Sequence, residues 1–440
     1  MKNKLQTPLT QCKQSRTEPA MTQTRSASPR MAYLTGEYAA VSHTFIRREV
    51  EALRQLGLDI VTCSIRRSGY EHLRGPAETH AAETTFHVIE AGKSPATLLA
   101  AQKPALTTPG RYFGTLARAW RMRRPGLRAA LYQLFYFVEA TLLARHLQAE
   151  GVTHIHNHFA GPSASVSMLA ARLADIPFSF TLHGPADLAE PVRWGLGDKI
   201  AAARFVACIS NYARSQAMLM SDPAHWDRLR IIHCGVEPGL YWRDRVETDD
   251  PRLHLVFVGR LAPVKGLRVL IEALLARQTG DDVRLTIVGD GGERATLEAM
   301  AAPLGEAVRF TGYQSQDEVA AILATADAFV LASFAEGVPV VLMEALAANL
   351  PVIATRITGV PELVEDGVSG LLVPPGDANA LAGAIDRLAA LPDRGASMGP
   401  AGRAVVEAEF DISIEAARLA TLFLEGPGET LRPHPAPPVT

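Results

Sequence analysis

Short apolar segments rich in β-branched residues alternate with longer segments of helical periodicity along most of this chain. Parallel strands need a crossover connection, usually a helix, so the alternation predicts βαβ units and an α/β fold. A helical bundle or an all-β sandwich would lack one of the two patterns. The predicted strands begin at Met31, Asp59, Thr84, His154, Phe178, Phe205, Leu229, Leu253, Val283, Ala307, Ala328, Pro351 and Gly370.

A charged stretch without periodicity, Glu237 to Arg252, interrupts the series and predicts a linker. We therefore expect an N-terminal domain at 31–240 and a C-terminal domain at 241–425. Both should be Rossmann-like, with doubly wound parallel sheets that face a cleft and bind ligands outside the carboxyl ends of their strands. The segments 1–30 and 426–440 are too polar or too rich in proline for a core and are predicted to be disordered tails.

The composition excludes several classes of function. With a formal net charge of −2 over 440 residues, no global positive field attracts nucleic acid, and we expect no nucleic-acid partner. The 4 cysteines lie far apart without a C-x-x-C pair, which argues against a zinc site and a disulfide framework. No signal-peptide run occurs in 1–30, and the apolar region 129–144, interrupted by Glu139, predicts a buried helix rather than a membrane span. A cytoplasmic location is expected.

The strongest functional pattern is SFAEGVPVVLMEALA, which begins at Ser333. A strand ends before a loop that presents Glu336 and Gly337, and a helix that carries Glu344 begins near Pro339. Two carboxylates beside the free N–H groups of a helix N-terminus suit a sugar nucleotide, with hydroxyls on the carboxylates and the diphosphate between them. The alternative is a solvated helix residue at Glu344, although its apolar neighbours indicate a charge that needs a partner.

The second functional pattern is VFVGRLAPVKGL, which follows the first strand of the second half. Arg260 and Lys265 straddle a proline-containing loop, and Gly266 opens the next helix. Two fixed cations at this turn suit a diphosphate leaving group, whose charge grows as the bond to the sugar breaks. A solvated loop with two ordinary surface charges is the alternative.

The chain resembles the retaining glycosyltransferases of family 4, with a likeness that extends from about Met31 to Phe423. The segments that carry the likeness are, in this order, GRLAPVKGL, IVGDGGER, FTGY and SFAEGVPVVLMEALA. The resemblance implies the GT-B fold of two facing Rossmann-like domains, with 31–240 on the acceptor side and 241–425 on the donor side, and a nucleotide-diphosphate sugar as donor. It also implies the site residues: Arg260 and Lys265 on the diphosphate, Glu336 by the donor sugar, Glu344 on the ribose, Gly312 and Tyr313 at the base, and Gly337 and Val338 among the other residues that bind the donor.

The first half resembles members of that family that work on exopolysaccharides of the colanic-acid type. The resemblance implies that His183, followed by Gly184, points into the cleft beside the transferred sugar and is catalytic together with Glu336, Arg260 and Lys265. The segments that carry this likeness are HTFIRREVEALRQLG at His43, HIHNHFAGPSA at His154 and FSFTLHGPADL at Phe178.

The first half departs from the family pattern at two places. Gly36-Glu37 stands where the first β–α loop usually has a pair of glycines. The acidic residue often found three positions after the histidine lies four positions after it, at Asp187. The acceptor side is therefore less firmly assigned than the donor side.

Two further patterns suggest other chemistry that the sequence disfavours. His154, His156 and His158 alternate along one strand and share a face, as metal ligands can, but no acidic or cysteine partner lies nearby in sequence, and we predict a polar strand end at the cleft and no metal. IVGDGGER contains G-x-G, but Arg294 takes the third glycine position of a dinucleotide fingerprint.

The expected reaction is retaining transfer of a hexosyl unit to a lipid-linked or oligosaccharide acceptor in exopolysaccharide or cell-surface polysaccharide synthesis. No carboxylate nucleophile can be assigned, so the resemblance implies that the leaving phosphate deprotonates the acceptor. No D-x-D occurs, and Arg260 and Lys265 supply positive charge, so neither a metal nor a cofactor is expected. The alternatives are a nucleotide-sugar 2-epimerase, an NAD-dependent oxidoreductase and a non-enzymatic two-lobed binding protein, because paired Rossmann-like domains serve all of them.

The segment from Ala91 to Val138 is strongly basic. It contains no Asp or Glu and eight positive charges, and Phe113, Leu116 and Trp120 share a helical face among them. Such a mixture is typical of a segment that lies on an anionic lipid surface, whereas a solvated pair of basic helices is the alternative. We therefore predict a peripheral contact with the inner face of the cytoplasmic membrane.

Overall fold

The computed structural model describes residues 29–38, 40, 44–69, 76–242, 250–277 and 282–428. Each predicted strand is present in it, and the two sheets confirm the predicted α/β class with doubly wound, parallel topology. Most of both predicted tails and part of the predicted linker lie outside the described residues. The bounds 31–240 and 241–425 remain predictions.

The first sheet has seven parallel strands in the order β3-β2-β1-β4-β5-β6-β7. The order turns at β1, so the loops after β1 and β4 diverge and leave a crevice at the carboxyl edge of the sheet. The strands are β1 (Arg30–Glu37), β2 (Asp59–Arg66), β3 (Phe86–His87), β4 (His154–His158), β5 (Phe178–Leu182), β6 (Val206–Cys208) and β7 (Leu229–Ile231).

The second sheet has six parallel strands in the order β10-β9-β8-β11-β12-β13. Its order turns at β8, which places the loops after β8 and β11 side by side at the carboxyl edge. The strands are β8 (Leu253–Val258), β9 (Val283–Val288), β10 (Val308–Gly312), β11 (Ala328–Leu331), β12 (Val352–Thr355) and β13 (Gly370–Val373).

Helices cover both sheets. Those of the first half are α1 (Thr44–Gln55), α2 (Pro76–Glu83), α3 (Val88–Gly92), α4 (Pro95–Ala100), α5 (Pro104–Thr107), α6 (Pro109–Arg121), α7 (Leu127–Ala149), α8 (Pro162–Ala174), α9 (Pro185–Leu188), α10 (Pro191–Trp194), α11 (Leu196–Ala202), α12 (Asn211–Leu219) and α13 (Pro238–Tyr241). Those of the second half are α14 (Leu267–Ala276), α15 (Arg294–Ala301), α16 (Gln316–Leu323), α17 (Val340–Ala347), α18 (Val360–Leu363), α19 (Ala378–Ala390), α20 (Gly399–Glu409) and α21 (Ile412–Glu425). Short 3₁₀ helices lie at Pro223–Arg228, Pro263–Lys265, Ala302–Ala307 and Ala396–Met398.

The last helix returns to the first domain. Ile412, Leu419 and Phe423 of α21 pack in one apolar cluster with Tyr33 of β1 and Phe205. The Phe423 ring lies 5.5 Å from the Phe205 ring and 6.1 Å from the Tyr33 ring. The C-terminal end of the chain thus completes the core of the first domain.

Three local expectations need correction. The segment at Thr84 forms only the two-residue strand Phe86–His87, because α3 begins at Val88. Gly36-Glu37 is the end of β1, which extends through both residues instead of stopping before a loop. The apolar region 129–144 is a helix whose buried side chains lie mainly in its second half; Leu131 and Phe135 in the first half are 46% and 60% exposed.

None of the helices in the described ranges is long and apolar enough to cross a membrane. In the sequence, Glu139 interrupts the longest apolar region, which is therefore too short for a membrane span.

The three histidines of β4 share one face, as predicted, but only the last lies beside a residue of the cleft. His154 Nε2 and His156 Nδ1 both lie within 2.8 Å of Ser179 Oγ, and His156 Nε2 lies 2.9 Å from Thr181 Oγ1. Burial lowers the pKa of His154 to about 3 and that of His156 well below its usual value. The interior of the first domain therefore holds neutral imidazoles, hydrogen-bonded to β5.

We predict that His154→Phe reduces the loss of stability in acid. The pKa of His154 in the folded protein, about 3, lies below its value in the unfolded chain. The contribution of the neutral His154 ring to the free energy of unfolding is therefore complete above about pH 6.5 and is lost as the pH falls towards 3. A proton bound only by the unfolded chain costs about 1.4 kcal/mol per pH unit. Urea unfolding of the variant should show a pH slope smaller by about that amount between about pH 6 and pH 4.

A variant of the exposed His80, His80→Gln, is the control and should keep the wild-type slope because its ring lies in water. Parallel stability curves for His154→Phe and wild type would show that His154 is protonated in the folded protein.

Candidate active site

The carboxyl ends of β5 and β11, one from each sheet, meet through backbone atoms. Gly184 has φ +120°, and a Cβ there would lie 2.8 Å from Gly337 Cα. A Cβ on Gly337 would lie 2.1 Å from the carbonyl oxygen of His183. Only glycine fits at these two positions. His183-Gly184 and Glu336-Gly337 therefore face each other across one cleft, as expected.

Glu336 is held by a cation and a hydroxyl. Its Oε1 accepts hydrogen bonds from Lys265 Nζ at 2.6 Å and from Ser333 Oγ at 2.7 Å. The Thr358 hydroxyl, which follows β12, donates to the backbone oxygen of Glu336 at 2.5 Å. Because only 12% of the Glu336 side chain and 21% of the Lys265 side chain are exposed, water weakens this ion pair little.

The loop that carries Lys265 is fixed against β11. Gly266 has φ +66°, and a Cβ there would lie 1.9 Å from the oxygen of Ala332, so this turn requires glycine. Lys265 thereby comes to Glu336, from which it is 71 residues distant in the chain. Arg260 lies at the start of the same loop with its side chain exposed, and it makes no ion pair within the described residues.

The helix N-terminus beside Glu336 offers unused donors. The peptide N–H groups of Gly337 and Val338 donate no hydrogen bond within the part of the chain that the structure describes. Helix α17 follows directly, with Pro339 at its N-cap. An N–H pair at a helix N-terminus, next to a lysine, suits an anionic group.

Gly312 and Tyr313 lie at the carboxyl end of β10, on the same edge of the second sheet. The Gly312 oxygen accepts from Gly289 N–H at 2.8 Å, which joins the loops after β9 and β10. Tyr313 is 44% exposed and can offer its ring to a ligand. The loops that carry Lys265, Gly312 and Glu336 therefore share one edge.

Glu344 has a partner that the sequence did not reveal. Its Oε1 accepts from Arg48 Nη2 at 3.0 Å and from the Tyr241 hydroxyl at 2.6 Å. Arg48 belongs to α1 of the first domain and also donates to Tyr241 at 2.7 Å. Burial, together with the Glu344 charge, raises the pKa of Tyr241 well above its ordinary value. The charge among apolar neighbours is thus compensated across the two domains.

The His183 ring lies between two other side chains. Its Nε2 is 2.9 Å from His158 Nδ1, and its Nδ1 is 3.6 Å from Cys234 Sγ. The rings of Phe45 and Phe159 pack beside it, with centroids 5.0 Å and 4.6 Å away. The half-buried imidazole is therefore fixed in place by protein atoms.

Asp187, the displaced acidic residue, binds backbone groups. Its carboxylate accepts from the N–H of Ala160 at 2.7 Å and from the N–H of His183 at 3.0 Å. Burial raises the pKa of Asp187 to about 6, and burial lowers that of the nearby Lys199 to about 7. Asp187 thus fixes the loop that presents His183 and is 3% exposed.

The fold brings Glu49 to His156 and His158, and one ligand atom from each lies within 4.8 Å of the others. The sequence hid this carboxylate because Glu49 is on α1, far from β4 in the chain. Both nitrogen atoms of His156 already lie within hydrogen-bond distance of hydroxyls on β5. These contacts use the donor atoms that a metal would need, and we do not identify a metal site here.

Comparison with family models divides the chain into two consecutive matches. The model described as Glycosyltransferase Family 4 matches residues 44–240, and the model described as Glycosyl transferases group 1 matches residues 241–405. Together they include both strand ends described above.

Known relatives extend this match over nearly the full chain. The amylovoran biosynthesis glycosyltransferase AmsK of Erwinia amylovora is 28% identical over 422 residues, which cover 90% of this chain and 99% of the relative. The putative colanic acid biosynthesis glycosyltransferase WcaL of Escherichia coli is 35% identical over 210 residues, 45% of this chain and 51% of the relative.

Solved structures show the same fold at low sequence identity. Anabaena HepE, in a crystal structure with UDP, gives a TM-score of 0.67 at 18% identity, over 90% of this chain and 99% of HepE. Sucrose-phosphate synthase of Thermosynechococcus elongatus gives a TM-score of 0.68 at 20% identity, over 90% and 98%. With its two facing sheets and both family matches, this chain belongs to the family 4 glycosyltransferases of GT-B fold and is a glycosyltransferase.

Proposed function

We propose that this enzyme transfers a hexosyl unit, with retention of configuration, from a nucleotide-diphosphate sugar to a lipid-linked or oligosaccharide acceptor in exopolysaccharide or cell-surface polysaccharide synthesis. The observation that carries the proposal is the Lys265–Glu336 ion pair, presented by one domain beside His183-Gly184 of the other. The names of its relatives support the class of product, since AmsK and WcaL are named for amylovoran and colanic acid biosynthesis.

The donor diphosphate would lie at the start of α17. Lys265 and Arg260 supply positive charge there, and the N–H groups of Gly337 and Val338, next to Glu336 in the chain, have no acceptor among the described residues. As the bond between sugar and phosphate breaks, these groups stabilise the charge that develops on the leaving phosphate. The Glu336 carboxylate, already aligned by Lys265 and Ser333, accepts from hexose hydroxyls.

The nucleoside would extend along the same sheet edge. Glu344 keeps one carboxylate oxygen for ribose hydroxyls while Arg48 and Tyr241 bind the other. Gly312 and Tyr313 contact the base. Solved neighbours support a nucleotide in such a fold, since HepE is described in complex with UDP and with UDP-glucose.

Retention follows a front-face route in this proposal. A double displacement needs a carboxylate next to the anomeric carbon on the acceptor side, and Asp187, which follows His183, is committed to two backbone N–H groups. The leaving phosphate therefore takes the proton of the acceptor hydroxyl as the new bond to the sugar forms. Glu336 and His183 hold the reacting groups in position.

We propose that the reaction needs no divalent metal and no cofactor. Arg260 and Lys265 provide the charge that a metal would otherwise supply to the diphosphate, and no D-x-D motif occurs in the sequence.

A donor screen tests the function. UDP-, GDP- and dTDP-sugars are compared for their effect on the melting temperature, because a ligand that binds only the folded state raises it. The stabilising donors are then incubated with lipid-linked oligosaccharide in EDTA, and transfer is expected. Epimer formed from a donor without acceptor would support the epimerase alternative, and activity that returns only with Mg²⁺ or Mn²⁺ would contradict the metal-free mechanism.

We predict that Lys265→Ala and Glu336→Ala each lower transfer by roughly 10²-fold, because fixed charges at the reacting centre are removed. Initial rates with the donor found above measure the effect. The matched control is the ion pair Asp250–Arg252 at the amino end of β8, whose variants Asp250→Ala and Arg252→Ala should keep wild-type turnover. Wild-type turnover in a folded Lys265→Ala or Glu336→Ala variant would remove that residue from the site.

We also propose a peripheral contact between helices α4–α7 and an anionic membrane surface. The surface carries exposed apolar side chains: Leu99, Leu106, Phe113, Trp120, Leu127, Leu131 and Phe135. Leu116 departs from the expected face because it packs partly into the core. The exposed side chains lie among the basic residues, and α6 and α7 pack together where the Tyr112 ring contacts Phe137 at 5.1 Å.

Five of the eight cations of this surface are available to lipid. Lys93 pairs with Glu90 and Arg111 with Asp175, while Lys103, Arg121, Arg123, Arg124 and Arg128 are exposed and pair with no carboxylate among the described residues. Each basic residue close to an anionic bilayer contributes about 1 kcal/mol. Exposed aromatic and leucine side chains next to these charges favour a bilayer over a purely ionic partner.

We predict that the protein co-sediments with vesicles that contain anionic lipid, and that salt weakens the binding. The variant Arg118→Gln/Arg121→Gln/Arg123→Gln/Arg124→Gln should lose most of it. A matched variant with Gln at four exposed arginines of the second half, Arg268, Arg309, Arg356 and Arg387, should bind as wild type. Equal recovery with neutral and anionic vesicles, or binding to neither, would contradict this proposal.

A further inference from the structure

A row of polar side chains leads from the interior of the first domain to His183. The Tyr33 hydroxyl donates to Glu49 Oε1 at 2.9 Å, and the same oxygen lies 3.3 Å from His158 Nε2. His158 Nδ1 then lies 2.9 Å from His183 Nε2, and His183 Nδ1 lies 3.6 Å from Cys234 Sγ. Nothing in the proposed mechanism above uses Glu49, His158 or Cys234.

The members of this row other than His183 are buried from water. Tyr33 and His158 are fully buried, and Glu49 and Cys234 are 6% and 7% exposed. Burial raises the pKa of Tyr33, with the Glu49 charge adding to the effect, and burial raises that of the Cys234 thiol. Tyr33 and Cys234 therefore keep their protons near neutral pH and act as donors at the two ends of the row.

The ends decide where the protons between them lie. A neutral imidazole has one donor and one acceptor nitrogen. His158 Nε2 lies 3.3 Å from the Glu49 carboxylate but is not aligned for a hydrogen bond, and the nearby negative charge favours the proton on this nitrogen. Nδ1 is then the acceptor. His183 must then donate from Nε2, and its Nδ1 accepts from the Cys234 thiol. With the protons placed in this way, each pair of neighbouring side chains in the row has one donor and one acceptor.

We propose that Glu49 and His158 are positioning residues that hold the His183 ring in one plane with its proton on Nε2. This inference rests on the proposed function, in which His183 helps to hold the reacting groups beside Glu336. A hydrogen bond to a second group that lies beside a carboxylate fixes the tautomer of a histidine and its orientation, and a ring held in the wrong state loses its use in the reaction. Glu49 and His158 do not touch substrate; they act through His183.

The chain supplies a matched control for this row. His154 lies on the same face of β4, is 3% exposed, and contacts Ser179 rather than His183. His154→Phe therefore repeats the substitution His158→Phe at a buried site outside the row. His158→Asn is the conservative variant, because an asparagine side chain can place an acceptor close to the position of Nδ1.

The test combines kinetics with nitrogen NMR of the full chain labelled with ¹⁵N-histidine. The signals of His183 are assigned by their loss in His183→Asn. Wild type should show the proton of His183 on Nε2, and His158→Phe should show a mixture of both tautomers. In the donor assay, His158→Phe should lower kcat by about 10²-fold with donor KM within about twofold, because the ring is misplaced while donor binding is unaffected.

His158→Asn should recover most of kcat, and His154→Phe should match wild type in both measurements. If His158→Phe does not fold, the double variant Tyr33→Phe/Glu49→Leu removes the carboxylate together with the tyrosine hydroxyl that donates to it. It should give the same mixture of tautomers.

Wild-type kcat in His158→Phe, a proton on Nδ1 of His183 in wild type, or an unchanged tautomer in the variants would each overturn the inference. A wild-type chain that transfers sugar from no donor would instead overturn the proposed function, and the nitrogen spectra would still decide the tautomer of His183.

Discussion

The close approach of two glycine-bearing strand ends is the constraint on which the site depends. Gly184 and Gly337 stand backbone to backbone, and a methyl group at either position would collide with the other domain. Side chains on both would push the sheets apart, and the Lys265–Glu336 pair would face water instead of His183. The ion pair needs this enclosure, because charges in a dry cleft act on a substrate far more strongly than exposed ones.

Helix α1 joins the two halves of the site through neighbouring residues. Arg48 reaches Glu344 in the second domain, while Glu49 reaches His158 in the first. Successive helix positions point about 100° apart, so one turn can serve both domains. A buried Glu344 without Arg48 would leave an uncompensated charge, at a cost of about 3–5 kcal/mol for such pairs. The Glu344 carboxylate of the second domain is thus held in place by a residue of the first domain.

Local pattern was enough to predict the architecture and the shared location of Lys265 and Glu336. Strand and helix alternation reflects burial in parallel sheets, and Lys265 and Glu336 follow strands whose carboxyl ends must share an edge. The contact between Arg48 and Glu344 joins positions 296 residues apart, and no local period encodes it. For α7, an apolar sequence predicted burial, but packing covers mainly the second half of the helix. The hydrophobic content of a segment shows which side chains can be buried, whereas the elements packed against it determine which side chains are buried.

The three histidines of β4 show the same limit within one strand. The period of two correctly placed their rings on one face. Hydroxyls on β5 then fill the hydrogen-bonding positions of His156, and Ser179 also binds His154, so both rings stay neutral in the interior. His158 instead meets a carboxylate from α1 and an imidazole at the end of β5. Three identical residues at metal-ligand spacing thus acquire different chemistry from their cross-strand partners, and only His158 is placed to act on the cleft.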